Sequence, residues 1–408
     1  MWYLRIAMLH WAFPPTIGGV ETHLTMLCPA LVREGCEVAL LTGAVDGRVA
    51  AETWEGVRIR RTPLMDLNSL SPTLIRRYKD EIREELARFI DRERPDVIHA
   101  HNMHYFSYVH AEALVRIKER VGAPLILSAH NVWDDETWEE LLRLRFAWDG
   151  VIAVSHYIKR ELIASGYPAG QIRVIHHGLD LARFQAATPP EAVRREIREK
   201  ARGRKIVFHP ARMSLAKGSD IVVLAFRRVK EVYPDAFLLL AGTNNTVDWG
   251  SYQQGEIAQI RRMIAECGLE EDVLIRFFPW EEMPAAYWES EVVVYPSSFD
   301  EPFGLVLLEA MAAGKPLVVT RAGGMPEIVV PGETGFIIPR RQPDALAEKI
   351  LALLRAPDLV RQMGQRARRR VAERFTLERM VRETVAYYDE VCRTRGRAER
   401  GKRSSAIG

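Results

Sequence analysis

The interpretation of this chain rests on one stretch, Ser297-Ser298-Phe299-Asp300-Glu301-Pro302-Phe303-Gly304-Leu305-Val306-Leu307-Leu308-Glu309-Ala310-Met311-Ala312-Ala313-Gly314. A short apolar strand precedes this stretch. Two prolines, one directly before the stretch and one within it, interrupt regular secondary structure. A helix is then predicted from Gly304 to a C-cap at Gly314. Glu301 lies in the loop, and Glu309 lies about two helical turns into the run. Carboxylates so placed can hold two ends of one elongated ligand, whose anionic middle rests on the helix N-terminus.

Length and composition limit the class of protein. The 408 residues exceed what one hydrophobic core usually organises, so we predict two domains of about 150–200 residues each. Apolar residues make up 48% and charged residues 27% of the chain, as is ordinary for a soluble globular protein. The formal net charge of +3 is too small to indicate a nucleic-acid-binding protein.

The sequence favours a cytoplasmic location. It has no signal-length apolar run at its N-terminus and no run long enough for a transmembrane helix. Its four cysteines show no CxxC or metal-ligand spacing, which favours free thiols in a reducing compartment. Arginines cluster at 366–370 and 393–403. We interpret them as solvated surface, with weak peripheral association with an anionic inner membrane face as the alternative.

Strands and helices alternate in two series, which predicts two doubly wound, Rossmann-like α/β domains facing a central cleft, with C-terminal helices. Residues 1–182 form the first series, with six or seven strands. Residues 183–204 are polar and contain two prolines, which is typical of a linker. The second series occupies 205–376. We expect the helix at 377–394 to pack back onto the first domain, and 395–408 to be a flexible basic tail.

Two loops that follow strands are candidate anion sites. Arg212 and Lys217 lie in a loop that ends at a predicted helix, where a bidentate guanidinium and an ammonium can converge on a diphosphate. Their position at a strand end facing the Glu301 loop favours this over two solvated surface cations. Gly18-Gly19 follows the first strand, where it is either a turn that needs positive φ or a close approach to a phosphate or sugar.

Histidines and acidic residues also invite a metal hypothesis. His99, His101 and His104 lie at a strand end, and His130 lies at the end of the next strand. No carboxylate lies within the triplet, so the lining of a polar pocket is favoured over a metal site. The acidic run Asp134–Glu136 is typical of a helix N-terminus. No Asp-x-Asp occurs, which argues against a metal-diphosphate mechanism, and we predict no metal ion and no cofactor.

The segment from Thr320 to Ile328 ends another predicted strand of the second domain. It contains the pair Gly323-Gly324 and then Glu327 at a helix start. We interpret it as a second ligand-facing loop beside Glu301, since adjacent strand ends meet at one edge of a sheet. The alternative is plain punctuation between a strand and a helix.

Taken together, these pieces resemble a retaining GT-B glycosyltransferase of family 4, also called glycosyltransferases group 1 or glycogen-synthase-like enzymes. The resemblance covers roughly Leu4 to Tyr388 and is strongest from Arg212 to Gly335. The segments that carry it are the E-x7-E pair Glu301 and Glu309 within S-x-x-x-E-P-F-G-L, the loop Gly18-Gly19-Val20-Glu21, the pair Arg212 and Lys217, the G-G-x-P-E segment Gly323-Gly324-Met325-Pro326-Glu327, the Gly332-x-x-Gly335 segment, and Val154-Ser155.

The resemblance implies a nucleotide-diphosphate sugar as donor and a hydroxyl group as acceptor. It implies that Glu301 contacts hydroxyls of the transferred sugar and that Glu309 contacts the ribose. Arg212 and Lys217 would neutralise the leaving diphosphate, and His130 would lie beside the sugar. The family typically needs no metal.

The resemblance also implies further substrate contacts. The base would be read around Phe277–Pro279 and by the loop that begins at Gly242. The remaining positions that it assigns to substrate binding are Gly18, Gly19, Gly304, Leu305, Gly324, Glu327, Phe278 and Ser155. Acceptor space is expected along 99–105 and 133–138.

One departure from the family pattern concerns the segment between the domains. Members usually have Pro-Asn-Gly where this chain has His176-His177-Gly178, so a role of the usual Asn side chain cannot be carried over to His177. Two alternatives remain open: a GT-B nucleotide-sugar 2-epimerase, and a non-catalytic nucleotide-sugar-binding protein. The sequence does not fix the donor nucleotide, the acceptor or the oligomeric state.

Overall fold

The structure is a computed structural model that describes residues 4–16, 18–44, 46–186, 190–242 and 250–405, without the side chains of 186, 250–253 and 397–405. The chain divides into two compact units. The first unit combines Met1–His177 with Leu377–Gly408, and the second unit is Gly178–Thr376.

The first unit contains an eight-stranded sheet in the order β3-β4-β2-β1-β5-β6-β7-β8. Every neighbouring pair is parallel except β3 and β4. The strands are β1 (Arg5–Leu9), β2 (Glu37–Gly43), β3 (Ala50–Trp54), β4 (Val57–Thr62), β5 (Val97–His101), β6 (Leu125–Ala129), β7 (Gly150–Ala153) and β8 (Ile172–Val174). The helices are α1 (Gly19–Arg33), α2 (Pro72–Arg77), α3 (Lys79–Glu93), α4 (Tyr108–Val121), α5 (Glu136–Leu141), α6 (His156–Ala164) and the C-terminal α16 (Leu377–Ser405).

The second unit contains a six-stranded parallel sheet in the order β11-β10-β9-β12-β13-β14. Its strands are β9 (Lys205–His209), β10 (Ala236–Gly242), β11 (Val273–Phe277), β12 (Val292–Tyr295), β13 (Leu317–Thr320) and β14 (Gly335–Ile338). Its helices are α7 (Leu181–Ala186), α8 (Glu191–Ala201), α9 (Ser219–Val232), α10 (Gly250–Glu266), α11 (Met283–Glu289), α12 (Leu305–Ala312), α13 (Met325–Ile328), α14 (Pro343–Leu354) and α15 (Pro357–Arg374).

Both sheets have a point where the strand order reverses. In the first unit this switch point lies between β1 and β5, and in the second it lies between β9 and β12. Polar loops at the carboxyl ends of strands beside such a point are the usual ligand-binding positions of open α/β sheets. The prediction of two doubly wound α/β domains with C-terminal helices is confirmed.

The predicted linker differs from the structure. Most of 183–204 is helical, and α8 buries one face through Val193, Ile197 and Ala201, which recur at four-residue intervals. The Arg194 Nε donates to Glu289 of α11 at 2.6 Å, so this helix belongs to the second unit. The many charged residues of α8 led to the prediction of a linker, because its apolar stripe is only one residue wide.

Three further elements depart from the predicted secondary structure. The edge strand β3 was not predicted, because its residues are mostly exposed and show no apolar alternation. The charged, amphipathic pattern of residues 74–91 predicts one helix, whereas the structure has two helices that meet at Tyr78. The final helix continues to Ser405, so residues predicted as a tail from 395 are helical to that point.

The final helix α16 packs within the first unit. The Tyr388 hydroxyl is 2.6 Å from His99 Nδ1, and the Tyr387 hydroxyl accepts from the Val151 N–H at 3.1 Å. Both tyrosines therefore attach the end of the chain to strands β5 and β7.

Candidate active site

At the switch point of the second unit, the loop after β9 lies against the loop after β12. The Ser298 N–H donates to the Ala216 carbonyl at 2.9 Å, which joins the two loops through their backbones. Gly218 has φ +78°, and a Cβ there would overlap the Pro296 carbonyl oxygen, so the close approach requires glycine. Pairing of β9 with β12 thus brings the Lys217 loop to the Glu301 loop.

The Glu301 carboxylate is held by three donors. Its Oε1 is 2.5 Å from Lys217 Nζ, accepts from the Tyr295 hydroxyl at 3.0 Å, and accepts from Ser297 Oγ at 3.3 Å. Glu301 is 5% exposed, so this ion pair is largely withdrawn from water. Removing Lys217 would take the ion-pair partner from a largely buried carboxylate, which is costly.

Arg212 belongs to the same cluster through its charge. Burial and the neighbouring Glu301 carboxylate raise the pKa of Tyr295 well above its usual value, and the Arg212 guanidinium opposes that rise. Arg212 is half-buried. Two cations, a carboxylate and a phenol therefore meet at the ends of β9 and β12, where fixed positive charge can bind phosphate oxygens.

A third loop, after β13, is fastened to the Glu301 loop. The Gly324 N–H donates to the Glu301 carbonyl at 2.7 Å, and the Gly323 N–H donates to Asp300 Oδ1 at 2.7 Å. The same Asp300 oxygen pairs with the Arg340 guanidinium. Gly323 has φ +56°, and a Cβ there would overlap the Glu301 carbonyl oxygen. The predicted neighbourhood of the Gly323-Gly324 and Glu301 loops is therefore present as direct backbone contact.

Helix α12 begins beside this cluster. Gly304 is its N-cap with φ +111°, a left-handed conformation that glycine adopts without strain, and Leu305 is its first residue. The N-terminus of a helix presents unpaired N–H groups to an anion. Glu309 lies inside the helix, is 8% exposed, and accepts from the Tyr287 hydroxyl at 2.8 Å. Burial raises the pKa of Glu309 to about 7, and the bond from Tyr287 opposes the rise.

Glu327 and Phe278 have partners of their own in the second unit. The Glu327 carbonyl accepts from the Arg370 guanidinium at 2.9 Å. The Phe278 ring is buried, with the Arg276 guanidinium 4.7 Å from its centroid and the Phe208 ring at 6.1 Å. The other predicted base-reading segment, after Gly242, lies at 243–249, outside the described residues.

The switch point of the first unit is lined by buried imidazoles. His101 ends β5, His130 follows β6, and His23 lies in α1. The His101 Nδ1 is 2.9 Å from His130 Nε2, and the His130 ring stacks on His177 at 5.2 Å. His177, which stands where the family usually has Asn, is also 4.4 Å from the His23 ring between centroids. Its side chain therefore takes part in the histidine cluster.

Burial keeps these imidazoles neutral. It lowers the pKa of His23 to about 3 and holds the pKa values of His101, His130 and His177 well below the usual range. The His130 N–H also donates to Asn102 Oδ1 at 2.8 Å, which fixes its backbone. His130 is thus a rigid, neutral group that can donate or accept one hydrogen bond from a substrate.

The three remaining predicted positions in the first unit have local roles. Gly18 is the N-cap of α1 with an extended φ of −168°, and a Cβ on Gly19 would meet nothing within 4 Å. The suggestion that this pair needs positive φ is therefore wrong. Ser155 is buried and caps α6 by accepting from the Ile158 N–H at 3.1 Å.

Sequence reasoning missed the groups that hold the two glutamates and the loop after β13 in place. Tyr295 had a weak signal, because it is the last residue of a predicted strand and a strand end faces the site. Tyr287, Asp300 and Arg340 carried no signal that separates them from ordinary surface or core residues. Their roles arise from contacts between separate loops.

In the part of the chain that the structure describes, no helix combines the length and the apolar composition needed to cross a membrane.

Comparisons with known proteins identify relatives over nearly the whole chain. A profile described as "Glycosyl transferases group 1" matches residues 191–370, and one described as "Glycosyltransferase Family 4" matches residues 17–183. The glycogen synthase of Mycobacterium tuberculosis (strain H37Rv) is 27% identical, in an alignment that covers 94% of this chain and 94% of that protein.

Solved structures share the fold. The sucrose-phosphate synthase of Thermosynechococcus elongatus superposes with a TM-score of 0.77 at 24% identity, covering 95% of this chain and 98% of that one. Anabaena HepE, solved in complex with UDP-glucose, superposes with a TM-score of 0.76 at 20% identity, covering 95% of this chain and 100% of that one. These likenesses identify the GT-B fold.

Proposed function

We propose that this chain, which belongs to the GT-B glycosyltransferases of group 1 and family 4, moves a hexose from a nucleotide-diphosphate sugar to a hydroxyl acceptor. We further propose that the anomeric configuration is retained and that no metal ion takes part in the transfer. The observation that carries the proposal is the buried pair of Lys217 and Glu301, 2.5 Å apart, beside the N-terminus of α12.

The donor would bind to the second unit. Lys217 and Arg212 would neutralise the diphosphate, and the N–H groups near Gly304 and Leu305 would add fixed dipoles. An incoming phosphate would take over Lys217, which frees Glu301 Oε1 to accept from hydroxyls of the sugar. The bound UDP-glucose of HepE supports a nucleotide sugar as the donor class.

Glu309 would accept from the ribose hydroxyls. Its carboxyl is buried on the helix that starts under the diphosphate, and Tyr287 fixes one of its oxygens. The pKa of about 7 means that the free protein holds a mixture of neutral and charged carboxyl near pH 7. Two ribose hydroxyls would favour the charged form, because a carboxylate accepts hydrogen bonds more strongly than a neutral acid.

The chemistry that these groups support is stabilisation of a departing phosphate. Cleavage of the bond between sugar and phosphate produces a cationic, oxocarbenium-like sugar and an anionic diphosphate. Cations already held in place stabilise that anion without reorganising at the moment of reaction. We expect the acceptor to attack the same face that the phosphate leaves, with the phosphate oxygen taking the acceptor's proton, which gives retention.

The first unit would bind the acceptor, with His130 beside the sugar. Neutral His130 can hydrogen-bond to a hydroxyl but carries no charge to oppose an oxocarbenium-like sugar. Contacts of Gly18, Gly19, Ser155, Gly324, Glu327 and Phe278 with substrate remain predictions. Because the Phe278 ring is buried, contact with the base through the Phe278 backbone is the simpler prediction. The peripheral membrane contact of the basic residues also remains a prediction.

The donor is identified first, by a thermal-shift screen against UDP-, GDP- and ADP-sugars. Incubation of the best donor without acceptor then separates the proposal from the epimerase alternative. Free nucleotide together with a sugar epimerised at C2 would support the epimerase. Anomeric analysis of the product by NMR tests retention, and turnover in the presence of EDTA tests independence from metal.

Replacement of Lys217 tests the leaving-group role. Lys217→Ala should lower turnover about 100-fold or more, because it removes a charge that acts on the departing diphosphate. Release of nucleotide from the identified donor measures the effect. The matched control is Lys349→Ala, a lysine of the same unit whose Nζ pairs with the neighbouring Glu348 at 2.8 Å.

Lys217 also holds Glu301, so the variant's thermal midpoint is measured alongside. A folded Lys217→Ala protein with near-wild-type turnover would refute the leaving-group assignment. A turnover loss of the same size in Lys349→Ala would show that the assay reports general loss of charge.

A further inference from the structure

Aromatic side chains line the carboxyl ends of the neighbouring strands β1, β5 and β6 of the first unit. Trp11 follows β1, Tyr105 and Phe106 follow β5, and Trp133 follows β6. The ring centroids of Trp11 and Phe106 are 5.3 Å apart, and those of Phe106 and Tyr105 are 4.3 Å apart. Those of Tyr105 and Trp133 are 5.9 Å apart. These residues therefore form one continuous set of ring contacts, which we call the aromatic row.

Exposure increases along the aromatic row. Trp11 is 5% exposed, Tyr105 and Phe106 are half-buried, and Trp133 is 44% exposed. Packing of the first unit accounts for the buried end of the row, because apolar surface there is removed from water. Packing does not account for a large exposed indole that continues this apolar surface. Such exposed apolar surface is typical of a binding site.

The charge of the surrounding segments restricts what can bind there. Residues 10–32, 99–115 and 130–142 run from the ends of these strands into the helices that follow, and they contain no lysine or arginine. Asp134, Asp135 and Glu136 are exposed directly after Trp133. These carboxylates would repel an anionic ligand, whereas their oxygens can accept hydrogen bonds from hydroxyl groups.

Arg61, at the end of β4, contacts the loop after β1, but it already has partners. Its Nη2 donates to the Pro14 carbonyl at 2.7 Å, and its Nε pairs with Glu52 Oε1 at 2.8 Å. The second unit differs, because Arg212 and Lys217 follow β9 where the diphosphate is expected. The segments after β1, β5 and β6 have no such pair of cations in their sequence.

We propose that the acceptor of the transfer is an uncharged sugar, whose ring stacks on Trp133 and whose hydroxyls bond to the neighbouring carboxylates. The C–H faces of sugar rings are apolar, and packing them on an indole removes both surfaces from water. Trp133 lies three residues after His130, so their Cα atoms are at most about 11 Å apart. An acceptor held on Trp133 can therefore reach a donor sugar beside His130. The inference rests on the proposed function, because it names the acceptor class of that transfer.

The bonds that form and break are those of the proposed transfer. One hydroxyl oxygen of the acceptor bonds to the anomeric carbon while the bond from that carbon to the diphosphate breaks, and a phosphate oxygen takes the hydroxyl proton. An uncharged acceptor needs no cation from the first unit for this step. A phosphorylated acceptor would need one, because its charge would otherwise lie beside Asp134.

The test compares matched pairs of acceptors, with the donor that the thermal-shift screen identifies. Glucose, mannose and maltose are each compared with the corresponding sugar phosphate. We expect kcat/KM to be about 10-fold higher or more for the uncharged member of the pair that is used best. Equal or more efficient transfer to the phosphorylated member, or transfer to none of the uncharged sugars, would overturn the inference. Failure of the proposed function has a different signature, namely that no donor releases its nucleotide.

Replacement of Trp133 tests the stacking. Trp133→Ala should raise KM for the best uncharged acceptor about 10-fold, while kcat and the donor's Kd measured by calorimetry change little. Trp133→Phe keeps an aromatic ring and should recover most of the loss. Phe146→Ala is the matched control, since Phe146 is a 60% exposed aromatic residue of the same unit outside the aromatic row. No rise in KM in Trp133→Ala, or an equal rise in Phe146→Ala, would overturn the stacking role.

Reversal of one charge tests the selectivity. Asp134→Lys should raise kcat/KM for the phosphorylated sugars about 5-fold, because it replaces a repelling charge with an attracting one beside Trp133. Glu140→Lys changes the net charge by the same amount at an exposed position of α5 and is the matched control. Equal gains in the two variants would show that overall charge, rather than the charge beside Trp133, sets the preference, and would overturn the selectivity argument.

Discussion

The two switch points differ in how completely their buried polar groups are paired. In the second unit, one oxygen of Glu301 has three donors, and Glu309 has the Tyr287 hydroxyl. In the first unit, His23, His101 and His130 each keep a nitrogen without a partner among the residues described. The glutamates of the second unit therefore have donors, whereas each of these three histidines keeps one ring nitrogen without a partner in the described part of the chain.

This difference indicates how each of the two regions would respond to a ligand. A closed network fixes its members before a ligand arrives, so a phosphate that enters must exchange with a charge already held in place. Buried ring nitrogens without partners can still form hydrogen bonds, so a ligand that bonds to them would stabilise the folded first unit. Four predictions follow from the comparison, and the effect expected to be largest comes first.

Acid should weaken the first unit most. Burial lowers the pKa of His104 to about 3 and that of His110 to about 4, below the value of about 6.5 in an unfolded chain. The unfolded chain therefore binds more protons below pH 6.5, and stability is lost as the pH falls from there. Between pH 6.5 and 4.5 these two residues alone should cost about 5 kcal/mol.

Hydrogen exchange followed by mass spectrometry separates the units, because peptides from β1 and β5 report on one and peptides from β9 and β12 on the other. His110→Gln should remove part of the acid sensitivity of the first unit only. Equal protection of the β5 peptides at pH 7 and pH 5 would contradict the prediction.

The close backbone approach in the second unit should be the next most sensitive feature. Gly323→Ala would place a methyl group against the Glu301 carbonyl in a left-handed conformation, which should cost about 4 kcal/mol from strain and overlap together. Gly332→Ala is the matched control, since its φ is +77° and a Cβ there meets nothing within 4 Å. Its expected cost is about 1 kcal/mol.

The first unit offers the opposite case. Gly19 does not have a positive φ, and a Cβ there would meet nothing within 4 Å. Gly19→Ala should therefore leave the free energy of unfolding unchanged or slightly higher. Urea unfolding curves of the three variants measure these differences. If Gly323→Ala and Gly332→Ala lost equal stability, the contact with the Glu301 carbonyl would not be the reason that glycine is needed.

Glu309 should make the second unit respond to pH in the other direction. Its pKa of about 7 lies above the value of about 4.3 in an unfolded chain, so the contribution is fully present below about pH 4.3. It is lost as the pH rises to 7, and the loss should be on the order of 3 kcal/mol. Glu309→Gln should remove this contribution from the β9 and β12 peptides, in which His209, whose pKa burial lowers to about 4, acts in the opposite direction.

The slope in those peptides should persist in Glu291→Gln. Glu291 is another glutamate of the second unit whose pKa burial raises, but its carboxylate accepts from the Ile206 N–H instead of a tyrosine. A Glu309→Gln protein with the wild-type pH profile would show that burial of Glu309 is less complete than the structure indicates.

The smallest expected effects come from two buried tyrosines. Tyr388→Phe removes the partner of His99 Nδ1 in the first unit, and Tyr287→Phe removes the partner of Glu309 in the second. Each should cost about 1–2 kcal/mol. Tyr287→Phe should also move the midpoint of the Glu309 pH profile upward, because the lost bond had lowered the pKa. An unchanged midpoint would contradict the role assigned to Tyr287.

The sequence predicted the fold well because its signals are local. Strands appear in the sequence as short apolar runs such as Val292–Tyr295, and helices appear as apolar residues at helical spacing, as after Gly304. Both patterns can be recognised within a short segment of the chain. It failed at α8, where charge masked a narrow apolar stripe, and at β3, where an exposed edge strand needs no apolar face. Both elements depend on a neighbour that the sequence does not identify.

For the candidate site, the sequence alone determined which segments matter: the Arg212 and Lys217 loop, the Glu301 loop with its helix, and the histidines at the strand ends. It did so because each follows a recognisable strand, and strand ends are where open α/β sheets bind ligands. Only the tertiary structure decided which groups are paired. Pairing of β9 with β12 brings Lys217 to Glu301, and convergence of α1, β5 and β6 brings together His23, His101 and His130. The physical reason is that these contacts join residues far apart in the chain, whose distance is set by strand order and backbone approach rather than by local spacing.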